Sequence, residues 1–162
     1  MLSKKIQDAL NKQINAELYS SYLYLAMQGY FEANNLPGSA HWMKLQSEEE
    51  RGHALKIFDF VYGRQGTVDL TAIQPPGSKY KSPLDVFQKA YEHEKIVSDM
   101  IHRLYDLAVK ENDYPTQVML NWFVNEQVEE EKQALQIVEQ LRLIGDNAPA
   151  VLYLDQKLGE RK

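Results

Sequence analysis

The stretch "SEEERGHA", residues 47–54, decides how the chain is read. It sits between "AHWMKLQ" and "LKIFDFVY", flanks whose apolar residues recur at helical spacing. A helix advances about 100° per residue. On that count Met43, Ala54, Ile57 and Val61 share a side with Glu50, His53 lies on its flank, and Glu48 faces away. The helix therefore turns a carboxylate and an imidazole, three residues apart, toward whatever its apolar stripe buries.

The same count finds three more inward acids. Ile6, Leu10, Ile14, Tyr24 and Phe31 fall around Glu17. Phe87, Ala90, Ile101, Tyr105 and Ala108 fall around Glu94. Phe123, Ala134, Ile137 and Leu141 fall around Glu130, with Gln127 beside it. Burying one unpaired carboxylate costs several kcal/mol. Solvation at an edge explains one such glutamate and is a poor account of four. No lysine or arginine lies near the centre of any of these stripes, so a bound divalent metal is the simplest source of compensating charge. An internal repeat supports the cluster. A shift of 77 residues lays Glu17 on Glu94, Glu49 on Glu126, Glu50 on Gln127, His53 on Glu130 and Ser39 on Thr116. Two helical hairpins related by a pseudo-twofold axis would bring these sets together at mid-height; the alternative is a chance match of common residues.

Working outward, four long helical segments are expected, at about 4–31, 40–64, 83–111 and 115–144, with a short one at 148–158. Ser39 is the expected N-cap of the second helix. Ser82-Pro83-Leu84-Asp85 opens the third, and Asn147 caps the last. The links between helices one and two, and between three and four, are short, so each pair is an antiparallel hairpin, whereas the middle link holds about 17 residues, long enough to cross the bundle and set helices two and three parallel. The expected fold is all-α: one domain over residues 1–162, a four-helix bundle with a long crossover and a short fifth helix. The 162 residues carry an ordinary apolar share and a net charge of −5, which argues against nucleic acid as a main partner. No run reaches the apolar length of a membrane span, and no signal-peptide core follows the lysines of "MLSKKIQDAL". There is no cysteine, which excludes thiolate chemistry and fits a cytoplasmic location.

Carboxylates with a single imidazole suit Fe(II) or Mn(II) better than copper or structural zinc. Four carboxylates neutralise two divalent ions, with one glutamate bridging. Bundles that build di-iron carboxylate sites use inward Glu and Glu-x-x-His. Here the second such position reads Gln127-x-x-Glu130, so the two metal positions should be unequal. Tyr24, two turns from Glu17, could donate a hydrogen bond, a proton or an electron there, or simply fill space.

Glu17 in "NAELYSSYLYL", Glu50 and His53 in "SEEERGHA", Glu94 in "HEK" and the run "NEQVEEE" at 125–131 together resemble the prokaryotic non-haem ferritins. The resemblance spans essentially the whole chain. It implies iron storage and detoxification by a ferroxidase, an enzyme that oxidises Fe(II) with O2 or H2O2 at a dinuclear centre within each subunit. The ferric product is stored as a mineral in a homo-oligomeric shell of 24 subunits. It further implies that Glu17 and His53 bind the first iron, that Glu50 bridges, and that Glu94 and Glu130 bind the second, with Gln127 beside it. Glu49, Glu126 and Glu129 match a third iron position of bacterial ferritins; read without the resemblance they are a solvated acidic face. Haem is not expected, because Arg51 and Glu130 stand where haem-binding relatives carry methionine and histidine. Segment 148–158 would lie at the shell's fourfold axis, and Asp113, Gln117 and Asn121 are spaced to line a threefold channel.

Overall fold

The computed structural model describes residues 1–162. Five helices follow one another: α1 (Lys4–Ala33), α2 (Pro37–Gly63), α3 (Pro83–Lys110), α4 (Tyr114–Ile144) and α5 (Ala148–Leu158). This is the all-α bundle with a short last helix that the periodicity predicts. No helix is long and apolar enough to cross a membrane.

Most helix starts are set locally. Ser3, Ser82, Asp113 and Asn147 each accept a hydrogen bond from the backbone N–H three residues on. Helix α2 departs from expectation. It begins at Pro37, and its N-cap Leu36 has no side chain able to accept. Ser39, expected as the cap, instead sits inside the first turn. The acceptor comes from α5: Asp155 takes hydrogen bonds from Gly38 N at 3.0 Å, Ser39 N at 2.7 Å and Ser39 Oγ at 2.7 Å. A tertiary carboxylate thus does the work of a local cap, and its negative charge suits the positive end of the helix. Gly38 makes the approach possible, since a Cβ there would fall 1.7 Å from the Asp155 carbonyl oxygen.

Residues 64–82 carry the chain from α2 to α3 along the side of α1. Thr67 N donates to Gln7 Oε1 at 2.9 Å, Asn15 Nδ2 donates to Thr71 Oγ1 at 2.9 Å, and the Tyr80 ring stacks edge-on with Tyr30 at 5.6 Å. The crossover therefore travels from the start of α1 to its end, and α2 and α3 run parallel. Asp113 does not present a free carboxylate to a channel: Arg64 donates to it through two nitrogens, at 2.8 and 3.2 Å. Gln117 is likewise engaged, donating to the Ala108 carbonyl at 3.2 Å.

The core falls into two apolar clusters. One gathers Tyr24, Met27, Phe31, Met43 and Phe87. The other gathers Ile6, Leu10, Ile57, Ile101 and Phe123. Between them lies a polar layer that contains Gln13, Glu17, Gln46, Glu50, His53, Glu94, Gln127 and Glu130, every one of them buried. A full apolar core above and below holds this layer away from water.

Candidate metal centre

The polar layer draws on all four long helices. Glu17 comes from α1, Glu50 and His53 from α2, Glu94 from α3, and Gln127 and Glu130 from α4. Glu48, two residues before Glu50 and on the opposite side of α2, is exposed. Two groups of possible ligands form with Glu50 common to both. In Glu17, Glu50 and His53, as in Glu50, Glu94 and Glu130, one atom from each residue lies within 4.8 Å of the others. A third group, His53, Glu126 and Glu130, extends the layer toward the surface.

The charge of this layer is only partly answered by hydrogen bonds. Gln13 Nε2 donates to Glu17 Oε1 at 2.8 Å, and Gln46 Nε2 donates to Glu130 Oε2 at 2.5 Å. Tyr24 donates its hydroxyl to Glu94, so this fully buried ring both fills the core and serves the site. Gln127 Nε2 lies 3.2 Å from both Glu94 Oε2 and Ser98 Oγ. Five buried side-chain polar atoms in the molecule have no partner, and three of them converge here: Glu17 Oε2, Glu50 Oε2 and His53 Nδ1. His53 Nδ1 is 3.3 Å from Glu50 Oε2 and 3.9 Å from Glu17 Oε2. Orphaned acceptors are rare in folded proteins. Three sharing one point, two of them carboxylate oxygens, fit a divalent cation.

Burial dominates the protonation of these groups. It pushes Glu17 up to about 7. Glu50 is driven well above the carboxylate range by burial and then by Glu94, Glu17 and Glu130. Glu130 is raised to about 8 by burial and by Glu94, against the opposing hydrogen bond from Gln46. Glu94 rises for the same first reason, tempered by its bonds to Tyr24 and Gln127. His53 is lowered to about 4 by burial and the Lys56 charge, which leaves it neutral and able to ligate. Without a metal the layer therefore keeps protons that a metal would expel.

The layer is reached from the α2–α4 face, through an open groove of about 590 Å³ lined by Glu49, His53, Lys56, Trp122 and Glu126 among others. Trp122 packs edge-on against the His53 ring at 5.2 Å and carries Lys56 over its own face at 4.1 Å. Of the outer acids, Glu126 comes within ligand distance of His53 and Glu130. Glu129 is exposed, and Glu49 is held by Arg161 Nη2 at 2.6 Å. Gln13, Gln46, Trp122 and Arg161 were not singled out by the sequence. Gln13 and Gln46 had a legible signal, each standing one turn before an inward glutamate; Arg161, beyond the last helix, had none.

Comparison with known proteins agrees in sequence and in shape. Residues 7–144 match the family model described as a ferritin-like domain. A bacterial non-heme ferritin of Bacteroides fragilis is 44% identical over 161 residues, covering 99% of this chain and 100% of that one. One from Campylobacter jejuni is 36% identical, covering 96% and 93%. The open-pore ferritin of the hyperthermophilic archaeon Archaeoglobus fulgidus superposes over 100% of both chains with a TM-score of 0.99 and 50% identity. A form of that ferritin engineered to be closed gives 0.99 and 51%.

Proposed function

The chain belongs to the ferritin family of iron-storing, metal-binding proteins, and from that premise we propose that it is a ferroxidase whose substrate Fe(II) binds in pairs in the buried acidic layer. The single observation that carries this reading is the convergence of Glu17 Oε2, Glu50 Oε2 and His53 Nδ1, all buried and unpartnered. In this reading Glu17 and His53 take the first ion, Glu50 bridges, and Glu94 and Glu130 take the second. Gln127, Tyr24 and Gln46 hold the second pair of carboxylates in place through the hydrogen bonds described above. The positions are unequal because only the first has an imidazole.

Two Fe(II) ions side by side give O2 two electrons together and take it to hydrogen peroxide; H2O2 is itself an alternative oxidant. The residues contribute charge, position and exclusion of water. Arrival of the two cations displaces the protons that burial keeps on Glu17, Glu50 and Glu130. Glu126, and with it Glu49 and Glu129, would hold a third ion on the way out toward the α2–α4 face. The oxidised iron accumulates as mineral inside a homo-oligomeric shell of 24 chains in the cytoplasm. No haem is required. Acting on a separate organic substrate would need room beside the metal pair, whereas the groove of about 770 Å³ between α3 and α4 meets the acidic layer only at Gln127.

Aerobic loading with Fe(II) tests the function. Many iron atoms retained per particle support storage; one or two per chain, with no mineral, contradict it. His53→Ala should slow the first oxidation phase by roughly 10- to 100-fold, at least the effect of losing an outer partner of a metal ligand, while the assembly keeps its size. Stopped-flow absorbance with size-exclusion chromatography reads both. Unchanged oxidation would remove His53 from the centre.

A further inference from the structure

Arg161 lies beyond the end of α5, yet its side chain is only 18% exposed and turns back onto α2. Its contacts are numerous for a residue one short of the end of the described chain. Nη2 donates to Glu49 Oε2 at 2.6 Å, and Nη1 donates to Gln46 Oε1 at 2.9 Å. The guanidinium lies 4.6 Å from the centre of the Trp42 ring, and the Arg161 carbonyl accepts from His41 Nε2 at 2.8 Å. The planar fork of arginine makes two directed bonds and a stacking contact at once, which a lysine does not. The α5 segment that delivers it is fixed by Asp155 on the first turn of α2.

Both acceptors of this fork belong to the acidic layer or its rim. Gln46 turns its oxygen to Arg161 and its nitrogen to Glu130. Burial raises the carboxyl of Glu126, Glu129 and then Glu49 add to it, and the Lys56 charge opposes them. The rim therefore carries three acids close enough to feel one another; Lys56 acts on Glu126, and Arg161 holds Glu49 directly.

We infer that Arg161 is a built-in counter-cation for the outer metal position: it offsets the charge of Glu49 through Oε2, and a third ion must compete with the guanidinium for that carboxylate. The inference rests on the reading of Glu49, Glu126 and Glu129 as an outer ion position next to the pair. It makes the third ion weaker than the first two. It also ties outer loading to the inner site, because release of Arg161 frees the Gln46 amide that positions Glu130. Arg161 is a positioning residue and touches no substrate in the pair itself.

Anaerobic titration of the assembled protein with Co(II), followed by calorimetry, tests the competition without any oxidation step. Wild type should bind two ions per chain tightly and a third weakly. Arg161→Ala should tighten the third by about fivefold, the scale of a well-made, partly exposed ion pair. In a Glu49→Gln background the same substitution should tighten the third ion by clearly less than fivefold, the remainder being what passes through Gln46; an undiminished effect there would overturn the role of Glu49. If Arg161→Ala fails to assemble, Arg161→Gln, which keeps a hydrogen-bonding group and removes the charge, takes its place, with size-exclusion chromatography confirming the particle. Third-ion affinity that is unchanged or weaker, or no third ion in either protein, overturns the inference while the pair stands. Fewer than two ions in wild type strikes the paired centre itself, and the inference falls with it.

Discussion

Two carboxylates, each almost completely removed from solvent, meet opposite fates in this molecule. Asp155, at the junction of α5 and α2, accepts three hydrogen bonds from Gly38 and Ser39. Glu50, in the waist of the bundle, keeps an oxygen with no partner and faces three more acids. Burial alone does not mark a functional acid. What marks it is whether the fold supplies donors. At the junction the donors are backbone amides that needed an acceptor anyway, so the carboxylate stabilises the structure. In the waist the fold supplies too few, leaving Glu17 Oε2 and Glu50 Oε2 without a partner, and the layer stores a demand for cations that folding leaves unmet.

The largest effect should come from Glu50→Gln. Glu50 belongs to both ligand groups, so the initial rate of Fe(II) oxidation should fall at least about 100-fold, more than an outer partner contributes. The metal-free protein should melt no lower than wild type, since burial already keeps Glu50 protonated and the amide replaces a neutral carboxyl of similar size. A lower melting temperature would mean that Glu50 is structural and would erase the contrast with Asp155.

Next in size, Asp155→Ala should destabilise by about 2–3 kcal/mol, because it orphans two amides and a hydroxyl at a helix start. Gly38→Ala should loosen the same junction by collision with the Asp155 carbonyl. Chemical denaturation measures both. Little change in either would show that α5 is not needed to cap α2.

The smallest effect is a slope with pH. Glu17 and Glu130 are raised from 4.5 to about 7 and about 8 in the folded chain. Above pH 6.5 the unfolded chain holds no proton at these positions while the folded chain still does, so metal-free stability should fall as pH rises toward 8. Below that window His53 and His93, both lowered by burial to about 4, oppose the trend, because the unfolded chain then gains protons. Thermal melts between pH 6.5 and 8 should show a decline that flattens in Glu130→Gln. A stability that climbs through this window would contradict the protonated waist.

Much of this was legible without coordinates. Helical spacing placed Glu17, Glu50, Glu94 and Glu130 on apolar stripes, and each is buried. The 77-residue repeat aligned the two hairpins, and the long crossover matched the path of residues 64–82 along α1. Tyr105, placed on the same stripe as Glu94, is only partly buried. The start of α2 was misplaced because its cap is not local: Asp155 lies 117 residues from Gly38.

The sequence by itself determined which side chains turn inward, because that depends on a period of 3.6 residues and a few capping residues, all within one helix. Only the tertiary structure decided which inward charges are answered. Asp155 found its donors on α2, Gln46 reached Glu130 across 84 residues, and Arg161 returned to Glu49 across 112. Compensation of charge falls off within a few ångströms, so it belongs to neighbours in space, and residue spacing along the chain does not reveal them.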